Sequence, residues 1–313
     1  MRWSSCAHSI SLPVIQPKTA PVSEPGRDAF APSAETVYVR FESHYVAVEL
    51  GIPQLAASFR ASIGQLLAAT PHGISAGSLK ASLENGRIRI VGPAALGVEQ
   101  FTDPTLAARG LLHGVVKLLM TARPDLLWIH GGVAAHDGRA LLLPATSGNG
   151  KSTLIAELLK YGWIYLSDEV APIDPVTCRV FPFPVTPHMR IGHQPNLSPA
   201  EVRKLAKIRI DIGKEMVGAV AVPLERIYFL SYQQLAVSVQ TVVSSPGQSV
   251  VEMLRHSLSA WESRDAEICG LCELMRQVPG VHLRYANAHD AAAELAHAHQ
   301  RVKRQSGATA EFS

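Results

Sequence analysis

The sequence predicts an α/β fold with a P-loop-like turn at its centre and a small α+β module in front of it. Between residues 126 and 170, two apolar runs are followed by a glycine-rich turn, a helical segment and a third apolar run. This order of strand, strand, turn, helix and strand is the local pattern of a βα unit. Upstream of residue 100, short runs of alternating apolar and polar residues are separated by turn residues, which is typical of hairpins.

The composition sets limits on core size, partners and compartment. Of the 313 residues, 47% are hydrophobic and 18% are charged, so the chain is able to bury a large core. The net charge is only +3 and the basic residues are dispersed, which gives no indication of a nucleic-acid partner. No apolar run reaches transmembrane length, no secretory apolar region is evident, and four cysteines are too few for a disulfide framework. We therefore expect a cytoplasmic, reduced protein with no membrane partner; a homo-oligomer stays an open option.

The chain divides into four parts by composition and pattern. Five prolines among small polar residues precede residue 35, as in a loose segment. Two hairpins are expected after it, and Asn85-Gly86 fits a type I′ turn because both positions need positive φ. The expected parts are a loose segment (1–35), an α+β module (36–100), a main domain (101–300) and a tail (301–313).

Beyond residue 101, the pattern predicts further helices and strands. A long apolar helix near residues 105–122 places His113 on its buried-looking side, so a core histidine is favoured over a ligand. The later expectations are a short helix at 201–208, strands at RIYFLSY, VSVQTV and VHLRY, helices near 250–256 and 266–277, and an Ala-rich helix from 289.

The turn PATSGNGKST, residues 144–153, has the parts of a phosphate-binding loop. In such a loop, backbone N–H groups and a helix N-terminus surround the phosphates, and a lysine reaches the outer ones. Lys151 supplies the cation, Ser152 supplies a hydroxyl that suits Mg²⁺, and Thr153 opens the helix. The alternative is a glycine-rich turn that binds nothing. The expected nucleotide contacts are Ser147, Gly148, Asn149, Gly150, Lys151, Ser152 and Thr153.

Ala145 departs from the usual loop pattern, because it stands where the first glycine is expected. A methyl group is tolerated there if φ is negative and is damaging if φ must be positive. We expect negative φ at Ala145, with the Gly148 and Gly150 amides directed at a common centre.

Two acids and a histidine flank the loop in sequence. Asp168 and Glu169 end the run WIYLSDEV, and His130 ends the run LLWIH. If these strands neighbour the strand before the loop, the side chains meet at the sheet edge where α/β proteins bind ligands. One acid would then hold Mg²⁺ and the other would accept a proton, with the imidazole orienting a carboxylate. The alternatives are a helix-capping or turn pair on the surface for the acids and a structural role for His130.

Residues 129–170 resemble the catalytic core of the HPr kinase/phosphorylase family. That family has a histidine-glycine element on a strand, a second strand, a GxxGxGKS-type loop, a helix and a paired acid. The likeness covers residues 126–174 well, and its most specific part is the ordered set of His130, the loop and the acid pair. Glu169 stands where the family has a second aspartate.

The resemblance implies a phosphoenolpyruvate-carboxykinase-like P-loop fold and an ATP-dependent serine kinase whose acceptor is a small protein or peptide. By position, Asp168 matches the general base and His130 its assisting histidine. Lys151 and Ser152 match the phosphate and Mg²⁺ ligands, and Glu169 is expected at the metal. ATP and Mg²⁺ are the expected cofactors. A nucleotide-binding regulatory module and a plain NTPase without an acceptor are the alternatives.

Lesser candidates are Arg190, the pair Cys269 and Cys272, and two late histidines. Arg190 follows FPFPVTPHM and is expected to contact phosphate or acceptor, or else to be a surface arginine. The two cysteines form a CxxC inside a helical run with no partner CxxC, so metal or redox use is disfavoured. His297 and His299 are expected to be solvated on the last helix.

Overall fold

The computed structural model describes most of the chain from residue 34 onward. It confirms a mixed α/β architecture, in which helices pack on sheets of mixed strand direction. The described residues are 34–145, 149–190, 201, 207–233, 236, 238–258 and 264–310, without the side chains of residues 190, 207 and 302–310. The predicted loose segment therefore lies almost wholly outside the described residues.

A six-stranded sheet comes first in the chain, with the strand order β3-β1-β2-β4-β5-β6. The strands are β1 (Glu35–Phe41), β2 (His44–Leu50), β3 (Leu67–Ala68), β4 (Ile74–Glu84), β5 (Arg87–Val91) and β6 (Val98–Phe101). The antiparallel pairs β1–β2 and β4–β5 are the two predicted hairpins. Asn85 and Gly86 have φ of 51° and 73°, so the left-handed turn expected for this pair is confirmed.

Two helices cover this sheet, namely α1 (Pro53–Ile63) and α2 (Pro104–Ala122). Helix α2 begins at Asp103, whose carboxylate accepts hydrogen bonds from the amides of Thr105 and Leu106. The same core includes Trp128 and Phe183 from later in the chain. Residues on both sides of the expected boundary at position 100 thus share one core, within a single compact unit that spans Ser33–Ser313.

A nine-stranded sheet follows, with the order β10-β8-β9-β15-β12-β11-β7 and with β17 beside β15 and β16 beside β17. Its strands are β7 (Leu127–Ile129), β8 (Gly131–His136), β9 (Arg139–Pro144), β10 (Ile164–Ser167), β11 (Ala171–Asp174), β12 (Arg179–Val180), β15 (Val222–Tyr232), β16 (Gln240–Val243) and β17 (Gly280–Tyr285). The strands predicted from RIYFLSY and VHLRY, β15 and β17, pair in parallel at the middle of this sheet.

A separate pair consists of β13 (His188–Arg190) and β14 (Lys207–Arg209). The expectation that a helix runs to Ile208 is wrong at its end, because Ile208 pairs with Met189 in this ladder. Residues 202–206 of that expected helix lie outside the described residues.

Helices cover both faces of the nine-stranded sheet. They are α3 (Lys151–Lys160), α4 (Pro246–Leu254), α5 (Arg264–Gln277) and α6 (Ala288–Ala310). On β9, Leu141 and Leu143 pack with α3 and α6, whereas Leu142 packs with α4 and α5. Burial on both faces explains why this strand is a continuous apolar run rather than an alternating one. Helix α6 continues to Ala310, through most of the segment expected to be a tail.

Two histidines differ from expectation. His113, expected in the core, is exposed on α2, and His299, expected to be solvated, is only 4% exposed. Helical spacing assigns residues to faces, but it does not show which face another element will cover. No described helix is both long enough and apolar enough to span a membrane.

Candidate functional site

Strand direction brings the loop, the acids and His130 to one edge of the nine-stranded sheet. Strand β8 is antiparallel to both β9 and β10, so the carboxyl ends of β9 and β10 lie beside its amino end. Ala145 follows β9, Asp168 follows β10, and His130 precedes β8. The sequence predicts that these side chains meet if β10 lies directly beside β9. That arrangement is not found, because β8 lies between the two strands. The shared edge arises instead from two antiparallel pairings.

The loop enters helix α3 through a glycine that no other residue would replace easily. Gly150 has φ of 80° and precedes Lys151, the first residue of the helix. A Cβ at Gly150 would lie 2.4 Å from the hydroxyl oxygen of Tyr285. That hydroxyl donates a hydrogen bond to the Asn149 carbonyl oxygen at 2.9 Å. Both the left-handed backbone and the close approach of Tyr285 therefore require glycine here.

Ala145 is compatible with the loop. The non-glycine residues with positive φ in the described part of the chain are Glu42, Asn85, Asp137 and Cys178. The expectation of negative φ at Ala145 is therefore confirmed, and its methyl group is 2% exposed in the core beneath α3. Ser147 and Gly148 lie outside the described residues, and so does the expected direction of the Gly148 amide.

Ser152 and Asp168 form a direct hydrogen bond. The Ser152 hydroxyl donates to Asp168 Oδ2 at 2.7 Å, and Asp168 is 3% exposed. The turn that presents Asp168 is fixed by Ser167, whose hydroxyl oxygen accepts from the amides of Glu169 and Val170 at 3.4 and 3.2 Å. A hydroxyl and a carboxylate of this kind are hard oxygen donors of the class that Mg²⁺ prefers.

Lys151 and His130 are joined beside this pair. Lys151 Nζ lies 3.0 Å from His130 Nε2, and His130 Nδ1 lies 2.8 Å from the Glu169 carbonyl oxygen. An ammonium only donates and a carbonyl only accepts, so the ring must be neutral with its proton on Nδ1. Burial and the Lys151 charge hold the pKa of His130 below its usual value, which agrees with the neutral ring. The Glu169 carboxylate, 42% exposed, lies 3.8 Å from Nδ1.

Gly132, two residues after His130, makes room for the lysine. A Cβ at Gly132 would lie 3.0 Å from Lys151 Cγ and 3.1 Å from Ile155 Cγ1. Helix α3 and its lysine thus lie directly over β8 only because this position has no side chain. Gly132 in the run WIHGG therefore has a packing reason beyond the turn role that glycines often have.

Two further histidines stand near the site and were not singled out as functional by the sequence. His113 is an exposed residue, but partial desolvation of its ring and the charge of Arg109 lower its pKa, whereas Glu169 acts in the opposite direction. Burial and His130 lower the pKa of His256, which follows α4 and whose carbonyl oxygen accepts from the His130 amide at 2.7 Å. Neither had a motif to mark it, because their approach to the site depends on tertiary packing.

The lesser candidates do not all join the site. The Arg190 side chain lies outside the described residues. Cys269 and Cys272 are exposed free thiols on α5, in agreement with the helical position expected for them. A separate concavity of about 870 Å³ lies against the first sheet, lined in part by Arg40, Gln65 and His72.

The residues at the edge fit a Mg²⁺-nucleotide on structural grounds. A buried cation at a helix N-terminus suits phosphate, and the Ser152 hydroxyl with the Asp168 carboxylate suits a hard cation. Lys151, Ser152 and the two acids are thus the residues able to hold such a ligand.

Comparison with known proteins finds a distant structural likeness. No protein-family model matches the sequence, and no curated protein matches it. The structure is similar to that of the HPr(Ser) kinase/phosphatase from Coxiella burnetii, with 12% sequence identity and a TM-score of 0.35 over 59% of this chain and 96% of that chain. Likeness at this level does not identify an activity, a substrate or site residues.

Proposed function

We propose that this protein is an ATP-dependent serine kinase, with a phosphoenolpyruvate-carboxykinase-like P-loop core, that phosphorylates a small protein or peptide. The observation that favours it most is the 2.7 Å hydrogen bond from the Ser152 hydroxyl to Asp168 Oδ2. It links the residue after the loop lysine to an acid from another strand. It places a buried carboxylate and a hydroxyl, both suited to a hard cation, at the helix N-terminus where phosphate is favoured.

In this proposal the start of α3 holds the nucleotide. Backbone amides of residues 147–153 and the Lys151 ammonium bind the phosphates, and the helix N-terminus favours their negative charge. Ser152 and Glu169 hold Mg²⁺. Bound Mg²⁺-ATP supplies the phosphoryl group and part of the charge neutralisation that phosphoryl transfer needs.

Asp168 is the proposed general base. It would accept the proton of the acceptor serine as that hydroxyl attacks the γ-phosphorus of ATP and ADP leaves. His130 stays neutral and positions two groups. Its Nε2 accepts a hydrogen bond from Lys151, and its Nδ1–H donates to the Glu169 carbonyl oxygen. A protonated His130 would repel Lys151, so the lysine keeps its position only while the ring is neutral.

The test is transfer of labelled γ-phosphate to serine-containing peptides and small proteins encoded beside this gene. Asp168→Asn keeps the shape of the side chain and is expected to lower transfer by about 10²- to 10⁴-fold, the usual contribution of a general base. Nucleotide binding, measured by titration, should persist in this variant. Unchanged transfer in Asp168→Asn would remove Asp168 from the mechanism.

Glu169→Gln is the matched variant for the second acid. It is expected to raise the Mg²⁺ concentration needed for half-maximal transfer, because the amide is a weaker ligand than the carboxylate. The reverse pattern, with the Mg²⁺ requirement changed in Asp168→Asn and the proton step lost in Glu169→Gln, would exchange the two roles. Phosphate release without an acceptor would indicate a plain NTPase, and nucleotide binding with neither reaction a regulatory module.

A further inference from the structure

Three potential metal ligands converge at the far end of β8 from His130. His136 ends this strand, Asp137 begins the turn to β9, and His299 reaches them from α6. One ligand atom from each residue lies within 4.8 Å of the others. The rings of His136 and His299 stand at 85° with centroids 5.3 Å apart. Two imidazoles on one tetrahedral ion, each bound at about 2.0 Å, would have centroids about 5 Å apart.

The hydrogen bonds of His299 determine which nitrogen faces the cluster. Its Nδ1 lies 3.2 and 3.1 Å from the two oxygens of Glu225 on β15, so Nδ1–H donates to this carboxylate. The ring is 4% exposed, and its Nε2 is buried with no hydrogen-bond partner among the described residues. An unsatisfied buried nitrogen is costly, and Nε2 is the nitrogen of His299 that remains available as a metal ligand.

His136 presents a second such nitrogen. Its Nδ1 is also buried and lacks a hydrogen-bond partner in the described part of the chain. The nearest carboxylate oxygen, Asp137 Oδ2, lies 3.6 Å away, beyond hydrogen-bond distance. Two buried imidazole nitrogens that lack hydrogen-bond partners among the described residues thus lie close to one carboxylate.

We propose that His136, Asp137 and His299 bind a divalent transition-metal ion of the zinc class. A donor set of imidazole nitrogens and one carboxylate oxygen favours Zn²⁺ and its first-row neighbours over Mg²⁺ or Ca²⁺. Glu225 then has the outer position of a carboxylate–histidine–metal arrangement, in which it fixes the tautomer of His299 and raises its basicity. Water completes the coordination on the exposed side of Asp137.

The ion would join the C-terminal helix to the hairpin that leads into the loop. His136 and Asp137 belong to the β8–β9 hairpin, and β9 leads directly to Ala145. The six residues of β8 separate this cluster from His130 by about 20 Å. The proposed metal site is therefore independent of the kinase proposal, and either can fail without the other.

The test is metal binding to full-length protein without an affinity tag, after treatment with a chelator. Zn²⁺ uptake is measured by elemental analysis, and Co²⁺ binding by visible absorption typical of a site with nitrogen and oxygen ligands. Wild type is expected to bind one ion per chain, and Zn²⁺ should raise its melting temperature. His299→Ala should lose binding, and Glu225→Gln should weaken it ~10- to 100-fold.

Matched variants distinguish metal binding at this site from metal binding by other histidines or by thiols. His297→Ala, on the exposed side of the same helix, and Cys269→Ser/Cys272→Ser should retain full binding. Asp137→Asn tolerates the left-handed turn conformation and should weaken binding while the fold persists, as shown by circular dichroism. No stoichiometric uptake by wild type, or uptake unchanged in His299→Ala, Asp137→Asn and Glu225→Gln, would overturn the proposal.

Discussion

At the scale of single residues, the loop is positioned by a contact from β17, which lies two strands away from β9 in the same sheet. Tyr285, at the end of β17, is 1% exposed and donates through its hydroxyl to the Asn149 carbonyl. Gly150 has no side chain that could hold the backbone at this point. The long side chain of Tyr285 does so from another strand. The sequence pattern singled out the glycine but not the tyrosine, which stands 136 positions after Asn149.

Tyr285→Phe is expected to cost about 1 kcal/mol of unfolding free energy, the typical net value of one hydrogen bond. It should also weaken binding of an ATP analogue, since the Asn149 carbonyl is no longer held. Denaturant unfolding and calorimetric titration measure the two effects. Tyr165→Phe is the control, because its hydroxyl donates to the Val185 carbonyl at 2.7 Å and its ring is equally buried. Equal effects of both variants on nucleotide binding would contradict a loop-specific role.

At the scale of elements, the sequence pattern predicted the features that depend on interactions between residues close together in the chain. The Asn85-Gly86 turn, the apolar β9 and the helix after Gly150 follow from backbone preference and periodicity. The insertion of β8 between β9 and β10 does not, because strand order depends on long-range pairing. His299 illustrates the same limit: its helix was predicted, but its burial against Glu225 depends on where α6 packs.

Helix α2 offers a prediction at this scale, since its first turn relies on one side chain. Asp103 accepts from the Thr105 and Leu106 amides at 2.7 and 2.9 Å. Asp103→Ala should lower the free energy of unfolding by about 1 kcal/mol, whereas Asp103→Asn, which keeps an acceptor oxygen, should lose much less. Because α2 packs in the core that also includes Trp128 and Phe183, the loss should appear in one transition. Equal destabilisation by both variants in chemical denaturation would contradict the capping role.

At the scale of the whole molecule, stability should fall as the pH drops below about 6.5. The pKa values of His130 and His256 are both lowered from 6.5, and burial is the main cause in each case. The unfolded chain therefore takes up protons near pH 6.5 while the folded chain does not. This contribution to stability is complete above pH 6.5 and is lost progressively as the pH falls towards the lowered pKa values.

The pH dependence has a specific test at His130. Melting temperatures measured between pH 8 and pH 5 should decline below about pH 6.5, and the decline should be shallower in His130→Gln, which has no ring to protonate. His72→Gln, at an exposed histidine before β4, is the control and should keep the wild-type profile. The same slope in wild type and His130→Gln would mean that His130 is not held neutral by burial and Lys151. A shallower pH dependence in His130→Gln would show that the neutral His130, paired with Lys151, contributes to the stability of the entire fold.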